Sequence, residues 1–324
     1  MGKQNKKIEI EQKMTPIPLE SIPCMNSVNS FYLIPKFAYY LNYDGQEELR
    51  YEIEVLCPNL AKFIKDNLDF KFVKDSNLGS IFIYVYKDGY YQLVDENIFK
   101  GFISAYVPEY SVKMKDIDEV FRILLTYTDK YIDIQSLNSD EDYINFKNGL
   151  LNLNTMQIEP HTPDKMFTVQ IPVDYKPLDE CVYGSVFETY MDFLIDGDNI
   201  MKNVLLECMG LAISNTPGYV TKKCILMIGA KDCGKTQIKK LLTELIGIKY
   251  TSSMDLDKMN DSRFGTSELY NKRLVGSNDM QYTSVADMGI FKQLTGGDAV
   301  SIEFKGRGAF SYVFKGLIWF LAND

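Results

Sequence analysis

Eight consecutive residues, Gly229-Ala230-Lys231-Asp232-Cys233-Gly234-Lys235-Thr236, carry the spacing G-x-x-x-x-G-K-T. The glycines let the backbone curl with its N–H groups turned inward, an arrangement suited to phosphate oxygens. A lysine directly after the second glycine bridges β- and γ-phosphates, and the hydroxyl beside it serves Mg²⁺. The chemistry implied is nucleotide binding, with ATP and Mg²⁺ as the expected cofactors. Hydrolysis also needs a carboxylate to hold the metal or polarise a water. Lys272 to Met280 (KRLVGSNDM) offers Asp279 after an apolar strand start, and Gly316 to Asp324 (GLIWFLAND) ends a hydrophobic strand on Asn323, placed to sense a γ-phosphate or position the water. Lys235, Asp279 and Asn323 are therefore the candidate catalytic residues, and Thr236 and Asp279 the candidate metal ligands. Taken alone, Asp279 also suits a turn that caps a helix.

These residues need a strand, a turn and a helix N-terminus to hold them. Cys224 to Ile228 (CILMI) is short, apolar and strand-like, and Gln237 to Ile246 has helical spacing. Before them, Ser185 to Asp196 and Asn199 to Asn215 read as two helices; the second places Val204, Leu205, Cys208, Met209 and Leu211 on one stripe. Thr216-Pro217-Gly218 then breaks the chain. After them, Thr295 to Asp298 is a turn, and Val300 to Phe304 and Ala309 to Phe314 read as a hairpin joined by Lys305-Gly306-Arg307-Gly308. Two cations on a glycine-flanked tip suit a phosphodiester backbone, which makes Lys305 and Arg307 candidate DNA-binding residues. The same tip also reads as a solvated turn.

Upstream, Asn59 to Phe70 reads as a short amphipathic helix. Gly79 to Glu96 reads as a hairpin turning at Lys87-Asp88-Gly89, since Asp-Gly between β-rich runs is a strong turn signal. Asn97 to Tyr106 and Lys115 to Tyr127 follow as helices. Residues 145–177 (NFKNGLLNLNTMQIEPHTPDKMFTVQIPVDYKP) form a β-rich connector with a tight turn at Asn148-Gly149. His161, the single histidine, reads as a loop residue there. The aromatic run from Ser30 to Tyr43 reads as core, and Met1 to about Asn26 as a polar leader.

With 324 residues, 46% hydrophobic and 24% charged, the chain is long enough for two or three domains with real cores. A net charge of −9 argues against a surface basic all over, but not against nucleic acid held by a small local cluster. The six cysteines are scattered without a C-x-x-C pair, so reduced thiols are expected rather than zinc. No stretch of eighteen apolar residues exists, and the basic N-terminus has no apolar core behind it as a signal peptide needs. Lys6 stands where a myristoylated Gly2 calls for Ser or Thr. The expected location is the cytoplasm of a bacterial host.

Four segments, GAKDCGKT, KRLVGSNDM, LTGGDAVSIEFKGRG and GLIWFLAND, fall in an order that resembles the superfamily three helicases, in the branch of phage and plasmid primase–helicase proteins. The connector, and the hairpin and helices from about Ser80, resemble the same branch, so the resemblance spans roughly residues 60 to 324. It implies an α/β P-loop NTPase, an AAA+-like helicase core, preceded by an α+β module. The expected domains are a leader and aromatic-rich segment over 1–59, the family's module with its connector over 60–178, and the ATPase over 179–324. Within the last, the helical pair occupies 185–215 and the P-loop core 220–324. The resemblance further implies self-association into a ring, usually a hexamer, that draws single-stranded DNA through its centre, with Lys305 and Arg307 on the channel hairpin. Other replication proteins are expected partners.

Three departures from the family pattern stand out. Asn278 occupies the position where the family often has a second acid. The arginine that reaches a neighbour's ATP normally follows Asn323, so the chain is expected to be C-terminally incomplete and to hydrolyse ATP poorly alone. A primase centre of the kind fused in this family uses paired carboxylates and a histidine; Asp116-Ile117-Asp118 and Asp255-Leu256-Asp257 match D-x-D, but such short matches are common and primer synthesis is not expected. Two other readings stay open: a P-loop kinase of a small molecule, and a nucleotide-binding replication scaffold or loader without turnover.

Overall fold

The computed structural model describes residues 29–41, 47–74, 81–177, 185–256, 265–280, 288–304 and 308–323. The expected polar leader, the Lys305-Gly306-Arg307 tip and Asp257 of the second D-x-D lie outside them. The chain divides into two compact units, Met1–Asp69 with Asp95–Thr128, and Phe70–Val94 with Asp129–Asp324.

In the first unit, β1 (Leu33–Leu41) pairs antiparallel with β2 (Glu47–Val55), from Leu33 opposite Val55 to Leu41 opposite Glu47. Among its described residues are the α-helices α1 (Cys57–Asn67), α2 (Glu96–Ser104) and α3 (Met114–Leu124). Pro58 lies in the first turn of α1, where its missing N–H costs nothing. Asp95 caps α2 by accepting from the Ile98 N–H at 2.8 Å. Leu60, Ala61 and Ile64 of α1, Phe99 and Ile103 of α2, and the Ile117, Val120, Phe121, Leu124 stripe of α3 are buried. The helix expected to reach Phe70 ends at Asn67, because Phe70 opens a strand. Of the run expected to be core, Tyr32 and Leu33 are buried, whereas Phe31 and Ile34 are exposed.

The second unit holds two four-stranded sheets. The first runs β5-β4-β3-β6, from β3 (Phe70–Lys74), β4 (Ile81–Lys87), β5 (Tyr90–Val94) and β6 (Tyr131–Asp133). The β4–β5 turn has positive φ at both Asp88 (55°) and Gly89 (87°), the geometry for which Asp-Gly is selected. A Cβ on Gly89 would lie 2.7 Å from His161 Nδ1. Gly89→Ala is therefore expected to cost about 1–2 kcal/mol in urea unfolding. The connector folds as the three-stranded sheet β7 (Tyr143–Phe146), β8 (Gly149–Asn152) and β9 (Gln157–Glu159), turning at Asn148-Gly149. His161 Nε2 donates to the Phe146 carbonyl at 2.9 Å, a structural contact.

The helices α4 (Ser185–Ile195) and α5 (Asn199–Ile213) precede β10 (Ile225–Gly229) and α6 (Lys235–Ile246). Then come β11 (Thr251–Ser252), β12 (Leu274–Val275), α7 (Gly289–Gly296), the hairpin β13 (Ala299–Ile302) with β14 (Phe310–Val313), and β15 (Leu317–Asn323). The second sheet has the order β10-β15-β12-β11, and every neighbour in it is parallel. From Leu317 to Ala322, β15 is buried without a break, the mark of a strand covered on both faces. Trp319 and Leu321 pack with Ile238, Leu242 and Ile246 of α6.

Phe82 of β4 stacks on Tyr270 with ring centres 5.2 Å apart, and the Tyr84 and Tyr270 hydroxyls lie 2.7 Å apart. Tyr250 donates to the Thr168 carbonyl at 2.9 Å, and Asn215 to the Tyr143 carbonyl at 2.8 Å. The first sheet and the connector thus share contacts with the parallel sheet and are compact with it.

Candidate functional site

Parallel strands send their C-terminal ends to one edge, and that edge gathers the three sequence segments. Gly229, the last residue of β10, stands in register with Asn323, the last of β15. Met280 bridges to Ala322 in parallel, which brings the segment after β12 alongside. Asn323 Nδ2 donates to Asp279 Oδ1 at 3.2 Å, so the two candidates from distant motifs are hydrogen-bonded partners. The Asp279 N–H in turn donates to Ser277 Oγ at 3.2 Å. Asp279, Asn323 and Thr236 are exposed on this edge.

The loop from Gly229 to Gly234 is shaped by residues that tolerate positive φ: Asp232 at 61° and Gly234 at 96°. Gly234 is the N-cap of α6 and offers no side chain to the helix's first N–H groups. The first turn of α6 also lacks an acid, so its unpaired donors and positive dipole end face the loop. Lys235 is buried, and its ammonium donates to the carbonyls of Gly229 at 2.5 Å and Ala230 at 2.6 Å and contacts Cys233 Sγ at 3.4 Å. Residues 231–237, Asn278, Asp279 and Asn323 line one cleft of about 380 Å³. Backbone donors, a lysine, a hydroxyl and a carboxylate around a cleft of this size form a donor set that fits a polyphosphate with its cation. Of the cradle, Ala230 is exposed and Gly229 half-buried beside Cys233.

Three supporting residues were not singled out from the sequence. Tyr190 of α4 donates to the Gly234 carbonyl at 2.9 Å, and its ring lies 3.4 Å from where a Gly234 Cβ would stand. Burial raises the Tyr190 pKa, keeping the hydroxyl protonated and a donor. Lys239, one turn after Lys235, is 6% exposed and donates to the carbonyls of Gly276 at 2.6 Å and Ser277 at 3.0 Å. Ser277 Oγ holds the backbone of Asp279. No spacing rule reveals Tyr190 or Lys239. The glycine before Ser277 was the available signal: Gly276 has φ of 147°, and a Cβ there would lie 2.1 Å from the Trp319 carbonyl.

The β13–β14 hairpin forms as expected, with Ala299 opposite Val313 and Ile302 opposite Phe310. Val300, Ile302, Phe310 and Phe314 anchor it in the core with Tyr270. Its candidate DNA contacts, Lys305 and Arg307, lie outside the described residues. Among the described residues no helix is long and apolar enough to cross a membrane.

Residues 28–196, more than half of the chain, match the family described as D5 N terminal like. Residues 227–324 match a family of unknown function (DUF5906). Among solved structures, the A form apo structure of the NrS-1 C terminal region is similar over 82% of this chain and 56% of that one, at 12% identity and a TM-score of 0.49. A JCV helicase bound to a thiazolopyridine-containing acetamide is similar over 44% of this chain and 41% of that one, at 23% identity and a TM-score of 0.29. This chain thus spans little more than half the length of the first and less than half of the second.

Proposed function

This chain belongs to the D5 N terminal like family, and from that premise we propose that it is an ATP-hydrolysing DNA helicase subunit of the phage and plasmid replication type. The observation that carries the reading is the convergence of Gly229–Thr236, Asp279 and Asn323 on one edge of a parallel sheet, with Asn323 bonded to Asp279. In this reading the loop N–H groups and Lys235 bind the phosphates of ATP, Lys235 exchanging its two loop carbonyls for phosphate oxygens. Thr236 and Asp279 hold Mg²⁺, which when bound neutralises charge building on the phosphate oxygens. Asn323 fixes one oxygen of Asp279 and leaves the other free to orient the attacking water. The chain assembles with further copies into a ring, a hexamer in this reading, and Lys305 and Arg307 on the β13–β14 tip face single-stranded DNA in its channel. A ring confines the need for cations to the pore and so accommodates a net charge of −9.

ATP turnover by the purified chain, with and without single-stranded DNA, tests this. Several-fold stimulation by DNA is expected. Turnover indifferent to DNA removes the motor, and failure to bind ATP removes the site. Tyr190→Phe tests the loop support more finely. It deletes the hydrogen bond to the Gly234 carbonyl and is expected to weaken ATP binding about fivefold, the equivalent of ~1 kcal/mol, in calorimetric titration.

A further inference from the structure

Arg273 precedes β12 and is 4% exposed. Among the described residues its guanidinium makes one hydrogen bond, from Nη1 to the Lys315 carbonyl at 3.5 Å, the outer limit for such a bond. It lines a cavity of about 20 Å³ together with Tyr312, Asn271 and two further cations, Lys315 and Lys272, the latter's ammonium donating to the Lys249 carbonyl at 2.7 Å. No carboxylate lines that cavity. The acid whose charge Lys315 feels is Glu141, an exposed residue. A buried guanidinium with no counter-charge is among the costliest arrangements in a protein interior.

The polar groups around the cavity are unbalanced in one direction. Lys315 Nζ occupies the carbonyls of Gln135 at 2.8 Å and Leu137 at 2.9 Å. The Asn138 amide is closed on Thr168, donating at 2.7 Å and accepting at 2.8 Å. Asn271 Oδ1 accepts from the Thr168 hydroxyl at 2.7 Å. Tyr312 accepts at its oxygen from the Asn271 N–H at 3.4 Å, which leaves its own O–H to donate. The Asn138, Asn271 and Tyr312 side-chain acceptors are engaged, while guanidinium, ammonium and phenol protons remain, and the uncharged Gln135 side chain completes the polar lining. A space of about 20 Å³ has room for a guest of water size.

We infer that this cavity binds a single monatomic anion, chloride in an ordinary medium, between Arg273, Lys315 and Tyr312. Burial holds the Arg273 pKa down at about 10 and the Tyr312 pKa up at about 12, so at neutral pH both keep the protons such an anion needs.

The full chain is unfolded thermally in chloride or gluconate at equal ionic strength, beside Arg273→Met. With chloride tenfold above its dissociation constant, the wild-type midpoint is expected to rise by about 3 °C and to climb further with the logarithm of the chloride concentration. Arg273→Met is expected to lose this dependence and to cross the wild type: at least as stable in gluconate, where it removes an uncompensated charge, and less stable in saturating chloride. Equal wild-type midpoints in the two salts overturn the inference. Should Arg273→Met fail to fold, the chloride NMR linewidth decides. Broadening by wild type that bromide displaces and Tyr312→Phe reduces supports the site; no broadening beyond that of a protein-free control overturns it.

Discussion

Lys235→Ala is expected to lower ATP turnover at least 100-fold while the chain stays folded. The loss follows from what the ammonium can do at the edge of the sheet. It is the one cation buried in the loop, and its partners there are two backbone carbonyls. A cation directed at phosphate oxygens acts on charge that grows in the transition state, and removing one such donor typically costs 10²–10³ in rate. The fold is expected to survive because the hydrogen bonds of the side chain run to its own loop. The freed Gly229 and Ala230 carbonyls lie beside open cleft, where water replaces the donor. Phosphate release measures the rate, and urea unfolding the stability, with a change within about 1 kcal/mol expected. Turnover within threefold of wild type would sink the assignment of the loop. Loss of turnover with a collapsed unfolding transition would instead make Lys235 a structural lysine.

Much of this edge was legible in the sequence because its signals are local. Glycine spacing, an apolar run before it and helical spacing after it fix the β10–loop–α6 unit. The Asp88-Gly89 turn, the Asn148-Gly149 turn and the α4 and α5 helices follow from equally short patterns. The residues that went unread depend on contacts far apart in the chain. β11 is two residues long, too short for a period to show, and exists through parallel pairing with β12, the strand start expected at Leu274-Val275. α7 begins and ends on glycine without a capping side chain, and buries Leu294 against the core. β2 reads EELRYEIEV, in which Leu49, Tyr51, Ile53 and Val55 alternate strictly with Arg50, Glu52 and Glu54, a period-two strand signal that was available, while its partner is set by pairing with β1. Lys239 sits beside Lys240 in a run that reads as a solvated helix face; only the approach of Gly276 and Ser277, 37 and 38 residues on, makes it a buried donor.

That burial makes Lys239→Met the more informative variant. The Lys239 ammonium is taken from water, which lowers its pKa from 10.5 to about 8, an effect the nearby Asp255 carboxylate opposes. Asp255 Oδ1 is itself buried with no hydrogen-bond partner among the described residues, so it acts on Lys239 through space. Below pH 8 both folded and unfolded chains carry the proton, and the folded state bears the full cost of the buried charge. Between pH 8 and 10.5 the unfolded chain holds a proton that the folded chain has released, so stability rises with pH. The slope from this one group is about 1.4 kcal/mol per unit, or about 3 kcal/mol across the window. Lys239→Met is expected to abolish that component, seen as the difference between wild type and variant in urea unfolding from pH 7 to 10. At pH 7 the variant gains by losing the charge and loses by leaving two carbonyls without a donor, each worth about 1–3 kcal/mol. These effects oppose, so its stability there is expected to stay within about 2 kcal/mol of wild type. Turnover has no such compensation. Without the ammonium, α6 loses its two hydrogen bonds to the turn that carries Ser277 and Asp279, and a carboxylate displaced by about 1 Å from its working position costs on the order of 100-fold. A fall in turnover of at least tenfold, in a variant of near-normal stability and flattened pH dependence, is the expected result. An unchanged rate would mean that Asp279 keeps its place through Asn323 and Ser277 alone.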